Sequence, residues 1–243
     1  MLRSMRGRGP EVVELGDGLV YAVGDIHGRL DLLLRALEQI EAHAAGRPAT
    51  LVLLGDYVDR GPESRGVVER LMDLQQRPGR VVCLKGNHED LMVRGLTGGA
   101  VSAGHWLDNG GLEALRSYGA AGPDEFRLVP EAHLDWMEDL PLMARDRHRL
   151  YVHAGVAPGR APERQSERTC LWIRERFLEA PAEALPAHVV HGHTPEWAGK
   201  PRAADPELLP HRTNLDTGAW HTGVLGVAVF DAARPGGPLE LLG

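Results

Sequence analysis

The chain has 243 residues, 43% of them hydrophobic, which is enough to bury a sizeable core and excludes disorder as its main state. Its 27 basic against 34 acidic side chains leave a net charge of −7, a poor footprint for nucleic-acid backbones, so no nucleic-acid partner is expected and any anion binding must be local. Nothing approaches the roughly 18 consecutive apolar residues of a membrane span, and Glu11-Val12-Val13-Glu14 stands where a signal peptide would carry its apolar run, so no membrane association is expected.

In chain order, residues 18–24 (GLVYAVG) form an apolar β-type run, and residues 29–43 carry Leu30, Leu33, Leu34, Leu37 and Ile40 at helical spacing. The alternation repeats with a strand over 50–54, a loop over 55–62 and an amphipathic helix over about 63–74 bearing Val67, Val68, Leu71 and Met72. A third strand over 81–84 leads into a glycine-containing loop. Residues 92–141 read as helical or irregular, punctuated by Gly98-Gly99 and Gly110-Gly111, with a helix near 131–140. Short strands follow at 150–152, 189–190, 213–215 and 225–230, separated by Pro/Arg-rich loops at 157–168 and 195–211. No repeat or linker divides the chain, so one domain over 1–243, with its core at about 19–231, is expected; its class is α/β, with sheet layers and helices outside them. Cys83 falls in the third strand and Cys170 at a helix start, which supports neither a disulfide framework nor a thiolate metal site; a reducing, cytoplasmic setting is expected.

The information about function lies in where the polar residues fall. Strand ends deliver ligand-type side chains beside glycines: Gly24-Asp25-Ile26-His27-Gly28, Gly55-Asp56-Tyr57-Val58-Asp59-Arg60-Gly61 and Gly86-Asn87-His88-Glu89, then His153-Ala154-Gly155 and His191-Gly192-His193-Thr194. Ligand sites of α/β folds lie at the carboxyl ends of their strands, so five such loops point to one convergent site. Asp25, His27, Asp56, Asn87, His153 and His193 offer carboxylate, amide and imidazole donors, a set suited to Mn, Fe or Zn rather than to a thiolate-selected metal or an all-oxygen calcium site. Six side chains exceed what one open catalytic ion needs. They suit two divalent ions sharing a carboxylate, the arrangement that serves phosphoryl displacement. Two such ions carry four positive charges, of which Asp25 and Asp56 neutralise two, so the local field would attract a phosphate dianion inside an acidic protein. A lone Asp-x-His or His-Ala-Gly is more often a solvated or capped loop, but Gly-Asp-x-Val-Asp-Arg-Gly-Pro and Gly-Asn-His-Glu are long and specific, and all five occur in order.

Together these motifs resemble the metallophosphoesterases of the phosphoprotein phosphatase family, in particular the compact bacterial and phage lambda-type serine/threonine protein phosphatases. The resemblance spans roughly residues 21–230 and takes in His105-Trp106-Leu107-Asp108-Asn109-Gly110-Gly111, Leu171-Trp172-Ile173-Arg174-Glu175-Arg176 and Asp216-Thr217-Gly218-Ala219. It implies two mixed β-sheets packed face to face and flanked by helices, the calcineurin-like architecture. It implies that Asp25, His27 and Asp56 hold a first metal and that Asp56, Asn87, His153 and His193 hold a second, with Asp56 bridging and manganese the expected ion ahead of iron or zinc. A water or hydroxide between the ions would attack phosphorus, His88 would protonate the leaving oxygen, and Asp59 would hold that imidazole charged and oriented. Arg60 would clamp phosphate oxygens with its planar fork, and Arg174 would be a second clamp, with Arg176 as competitor.

Other histidines have bland readings: His191 packs or bonds near the site, His105 and His221 stand near the ligands, and His43, His133, His148, His188 and His211 are surface or structural. Glu89 and Asp216 either orient ligands or cap a turn. Pro195 stands where wider calcineurin-like phosphodiesterases carry the second histidine of Gly-His-x-His, which leaves the first metal three protein ligands and favours the phosphatase branch. The leading expectation is a metal-dependent phosphomonoesterase acting on phosphoserine or phosphothreonine in proteins or peptides, with small phosphoesters as further substrates. The alternative is a symmetrical diadenosine tetraphosphate hydrolase; such enzymes tend to lack the aspartate of the second motif and to read Gly-Asn-His-Asp in the third, where this chain has Asp59 and Glu89. A non-catalytic scaffold would be marked by lost ligands, and none of those expected is missing. Substrate choice is expected to reside in loops 92–111, 157–168 and 195–211.

Overall fold

A computed structural model describes residues 10–195 and 205–242. Eleven strands and nine α-helices succeed one another along them: β1 (Val12–Glu14), β2 (Leu19–Val23), α1 (Leu30–Ala44), β3 (Ala49–Leu53), α2 (Ser64–Gln76), β4 (Arg80–Cys83), α3 (Asn87–Thr97), α4 (Ala100–Trp106), α5 (Leu112–Ser117), α6 (Glu131–Glu138), β5 (Met143–Arg145), β6 (Arg149–Val152), α7 (Glu167–Trp172), α8 (Glu175–Leu178), β7 (His188–His191), β8 (Glu207–Leu209), β9 (Arg212–Asn214), α9 (Ala219–Thr222), β10 (Val227–Asp231) and β11 (Glu240–Leu242). One sheet runs β11-β10-β2-β3-β4, with β2, β3 and β4 parallel; the other runs β1-β5-β6-β7-β9-β8, with β6, β7 and β9 parallel. The sheets are mixed, as the resemblance implied.

Side-chain alternation explains the layering. Along β2, Val20 and Ala22 face one way and Tyr21 and Val23 the other, and all four are buried. Val20, Ala22, Val52, Leu54, Val82 and Phe230 meet Ala144, Tyr151, Val190 and Leu215 between the sheets. Tyr21, Val23, Leu51 and Leu53 instead pack under Leu33, Val67, Leu71 and Met92 of the helices on one side. On the other, Leu150, Val152 and Val189 pack against Cys170 and Phe177 of α7 and α8. The result is helices, sheet, sheet, helices. A strand buried on both faces reads as a continuous apolar run, which is why β2 and β3 stand out in the sequence.

Four strands escape the sequence reading: β1, β5, β8 and β11, each three residues long and too short to show a period of two. β8 lies within the expected loop 195–211; residues 196–204 of that loop, like the N-terminal stretch 1–9, fall outside the described residues. The expected loop after β4 is also corrected, because Asn87, His88 and Glu89 form the first turn of α3. Between α4 and α5 the chain kinks at Asn109 and at Gly110, whose φ of 101° suits glycine, and the Gly110 carbonyl accepts the backbone N–H of Arg60 at 3.1 Å. Cys83 and Cys170 are free and buried. No helix among the described residues is long and apolar enough to cross a membrane.

The inter-sheet layer sets a stability expectation. Phe230 is fully buried, meets Tyr151 edge-on with ring centroids 5.9 Å apart, and lies under the Arg149 guanidinium at 4.9 Å. Phe230→Ala is expected to cost about 3–5 kcal/mol through lost transfer energy and a cavity, read as a lower guanidinium midpoint; a cost under about 1 kcal/mol would mean that this layer does not hold the sheets together.

Candidate active site

The parallel strands of both sheets end at one edge. Asp25 and His27 follow β2, Asp56 follows β3, Asn87 and His88 follow β4, His153 follows β6, His193 follows β7 and Asp216 follows β9; all eight are buried. Backbone carbonyls set the imidazoles. His27 donates Nδ1–H to Val58 O at 2.9 Å, and His153 donates Nδ1–H to Leu54 O at 2.9 Å, so in both rings Nε2 is left as a lone pair. Those lone pairs face Asp56: His27 Nε2 is 3.5 Å from Oδ2 and His153 Nε2 is 3.3 Å from Oδ1. Asn87 Oδ1 stands 2.9 Å from His153 Nε2 and 2.7 Å from His193 Nδ1, while His193 Nε2 is buried without a hydrogen-bond partner.

Two ligand groups share Asp56. His27, Asp56 and His88 form one and Asp56, His153 and His193 the other, with the donor atoms of each within 4.8 Å of one another. Burial depresses the basicity of His27, His153 and His193, so these rings stand neutral with lone pairs turned toward a carboxylate. Electron-rich atoms aimed at each other in a dry pocket attract only across a proton or a cation; Arg60 reaches the His27 lone pair, but His193 Nε2 is buried with no partner. The donor set therefore fits divalent metal. Asp25 lies outside both groups; its carboxylate accepts the His193 backbone N–H at 3.0 Å. Burial and the nearby charges of Asp216 and Asp56 push its carboxyl well above the usual range. Burial likewise pushes Asp216 up to about 6. Burial opposes the charge of Asp56 too, but neighbouring imidazolium charge outweighs it and holds that carboxyl low, and His88 is the ring of this cluster that keeps its proton. Of the six non-glycine residues with positive φ among the described residues, five are His27, Asp56, Asp59, Arg60 and His193. Strain of this kind persists only where the surroundings dictate it.

Beside this cluster, His88 donates Nδ1–H to Asp59 Oδ2 at 2.7 Å. The other oxygen of Asp59 accepts Trp106 Nε1–H at 2.9 Å, and the Asp59 backbone N–H is held by Ser64 Oγ at 3.0 Å. Trp106 and Ser64 are the residues that sequence reasoning missed; Trp106 sits in a stretch that carried the resemblance, but nothing local marks an indole 47 positions away as the partner of an aspartate. Glu89 proves to be an anchor rather than a simple cap. Its carboxylate accepts N–H groups from Gly86, Asp56, Tyr57 and Val58 at 2.8–3.3 Å. Arg60 Nη1 donates to His27 Nε2 at 2.9 Å. Arg174 donates to Thr194 Oγ1 at 3.0 Å, next to His193. His191 is buried against Phe177, and burial lowers its pKa to about 3, so it packs behind the site and belongs to neither ligand group. His105 and Trp172 line a cavity of about 620 Å³ beside the cluster, Trp172 lying edge-on to His193.

The model of the calcineurin-like phosphoesterases matches residues 18–220, a span that contains every one of these groups up to the α9 turn. The chain belongs to that family. Serine/threonine-protein phosphatase 1 of Salmonella typhimurium is 30% identical over 184 residues, covering 72% of this chain and 78% of that protein. The asymmetrical bis(5'-nucleosyl)-tetraphosphatase PrpE of Bacillus thuringiensis is 26% identical over 224 residues, 84% of this chain and 87% of that protein. Among solved structures, a putative diadenosine tetraphosphatase superposes with a TM-score of 0.67 at 24% identity, over 94% of this chain and 98% of that one, which shows the shared fold. This metallophosphoesterase is a hydrolase of a family built around a dinuclear metal site.

The His88–Asp59 pair gives a pH expectation. Burial alone would lower the His88 pKa, but the carboxylates of Asp56 and Asp59 outweigh it and hold it above its ordinary value. A raised folded-state pKa stabilises the fold below the unfolded-state value of about 6.5, and that stabilisation is lost as pH rises through the folded value. In chelator, the stability deficit of His88→Asn relative to wild type is therefore expected to be largest near about pH 5–6 and to shrink as pH rises. Urea titrations across pH check this; a deficit that grows with pH contradicts it.

Proposed function

We propose that this metallophosphoesterase is a phosphomonoesterase that removes phosphate from phosphoserine and phosphothreonine in proteins or peptides, with small phosphoesters as further substrates, in the cytoplasm. The observation that carries the reading is the buried His88–Asp59 pair, 2.7 Å apart, set against the Asp56 cluster. A serine or threonine alkoxide is a poor leaving group and needs a proton. With Nδ1 committed to Asp59, His88 turns Nε2 toward the cluster, 4.0 Å from Asp56 Oδ2, and can hand that proton to the leaving oxygen. Trp106 and Ser64 keep Asp59 aimed, so the imidazole keeps its orientation and stays charged, with Nε2–H as the proton it can give up.

Asp25, His27 and Asp56 would hold one ion, Asp25 taking the part that a protonated His88 of the first donor group cannot play, and Asp56, Asn87, His153 and His193 would hold a second, with manganese as the first candidate and iron or zinc as alternatives. When bound, such ions supply positive charge for the phosphate and the acidity that makes water nucleophilic at neutral pH. Arg60 and Arg174, both exposed at the rim of the buried cluster, would grip the phosphoryl oxygens with their planar forks. The two buried free thiols suit a reducing compartment.

A second reading, hydrolysis of dinucleoside polyphosphates, is favoured by the Bacillus relatives named bis(5'-nucleosyl)-tetraphosphatase, which cover more of this chain than the Salmonella phosphatase does. It has less use for an acid, because a nucleotide phosphate leaves more readily than an alkoxide.

Chelation is expected to abolish hydrolysis of p-nitrophenyl phosphate and Mn²⁺ to restore it; Asp56→Asn should bind fewer than two ions by elemental analysis, and Cys83→Ser should bind both. Full activity in excess chelator, or one ion per active chain, would overturn the two-metal assignment. His88→Asn is expected to lower kcat on phosphoserine peptides by roughly 10²–10⁴-fold, and by less on p-nitrophenyl phosphate, whose leaving group needs little protonation. Wild-type kcat/KM should be at least about tenfold higher on such peptides than on diadenosine tetraphosphate, a transition-state preference of about 1.4 kcal/mol; the reverse preference hands the site to the second reading.

A further inference from the structure

Trp220 is 43% exposed, yet the turn that presents it is tightly held. Gly218 and Gly223 bracket α9 with φ of 63° and 76°, Thr222 Oγ1 donates to Thr217 O at 3.0 Å, and Arg29 Nη1 donates to Ala219 O at 3.1 Å. The turn begins two residues after Asp216, whose carboxylate accepts the Gly218 N–H at 2.9 Å, so its position is tied to the floor of the site. The Arg60 guanidinium lies 5.9 Å from the centre of the indole ring. The guanidinium proposed to grip phosphate thus lies over one face of the indole, and the rest of this large flat apolar surface is fixed in water beside it.

We infer that Trp220 is a specificity residue: its indole is a stacking platform for an aromatic ring that the substrate carries next to the phosphate bound by Arg60. A serine or threonine methylene leaves the indole wet, whereas a ring laid on it removes apolar area from water on both partners and gains stacking. Two ligands share that chemistry, the phenyl of phosphotyrosine and the base of a nucleotide. The inference rests on the phosphoesterase reading and widens its substrates to aryl and nucleotide phosphates.

Two matched pairs test it with Mn²⁺ present: a phosphotyrosine against a phosphoserine peptide of the same sequence, and adenosine 5'-phosphate against ribose 5-phosphate. Trp220→Ala is expected to lower the kcat/KM ratio of ring-bearing to ring-free substrate about tenfold, through KM, in the pair whose ring seats there, and Trp220→Phe to restore most of it; the pair affected identifies the source. Ratios unchanged in both pairs, including a uniform loss on all four substrates, overturn the platform. A separate readout guards against failure of the phosphoesterase reading itself. If wild type turns over none of the four, quenching of tryptophan emission by adenosine 5'-phosphate or O-phosphotyrosine, but not by ribose 5-phosphate, still supports the platform when it is lost in Trp220→Phe. Quenching that persists in that variant, or none in wild type, overturns it.

Discussion

One side chain holds the strand ends of this site to each other. Glu89, in the first turn of α3, accepts the N–H of Gly86 from its own segment and those of Asp56, Tyr57 and Val58 from the loop after β3. The Asp56 carbonyl in turn accepts the backbone N–H groups of Ile26 and His27 at 3.0 and 2.8 Å, so the loops after β2, β3 and β4 form one hydrogen-bonded body. The positive φ values of His27, Asp56, Asp59 and Arg60 follow from this bracing. Such conformations cost about 1–3 kcal/mol each, and hydrogen bonds to a charged group contribute about 1.5–3 kcal/mol each, so a carboxylate with four backbone donors is of the right size to offset the strain around it. Burial and the charge of Asp56 push the Glu89 pKa up to about 7, while those donors pull it back down. The anchor is itself a buried acid, its charge opposed by burial and favoured by its backbone donors.

The same arrangement explains how a chain of net charge −7 can receive a phosphate. Its acidic surplus is mostly solvated and screened over about 10 Å. At the site the accounting is local: neutral imidazoles and a few buried carboxylates leave lone pairs that call for cations, and Arg60 and Arg174 supply fixed positive charge at the rim. His88 is the exception among the imidazoles, because Asp59 at 2.7 Å keeps its proton in place. Lone-pair rings and one charged ring, all buried, are separated in role by which neighbour each Nδ1 meets: a backbone carbonyl for His27 and His153, a carboxylate for His88.

What was legible in the sequence followed from periodicity and motif length. β2, β3, α1 and α2 announce themselves because a strand buried on both faces and a one-sided helix leave distinct apolar patterns, and the residues gathered about Asp56 sit in long motifs at strand ends. The strands β1, β5, β8 and β11 were hidden by length, since three residues form a strand only because a neighbour offers a ladder. The roles of Trp106, Ser64 and Glu89 were hidden for another reason. Each acts through a hydrogen bond to a residue in a different motif, and the sequence records neither the partner nor the angle. Nor does the sequence record that Arg174, one residue before α8, meets Thr194 twenty positions on. Trp220 gave no signal, because exposure at a rim is a property of the folded surface.

Each sheet supplies half of the site, and this division places a demand on the glycines. Asp25, His27, Asp56, Asn87 and His88 come from the five-stranded sheet, and His153, His193 and Asp216 from the six-stranded one. The halves are tied across the seam where His153 reaches Leu54 O and the His193 N–H reaches Asp25. For the strand ends to meet this closely, backbone must pass backbone without a Cβ. A methyl group on Gly24 would collide with the Leu215 carbonyl of the other sheet, and one on Gly192 with the Asp25 carboxylate. The glycine that opens Gly-Asp-x-His is thus needed for the approach of the two sheets rather than for the turn it begins, and it need adopt no positive φ to be irreplaceable. A motif that reads as a metal-ligand signature therefore also encodes the packing seam, and packing between Phe230 and Tyr151 and the geometry about Asp56 are two ends of one constraint.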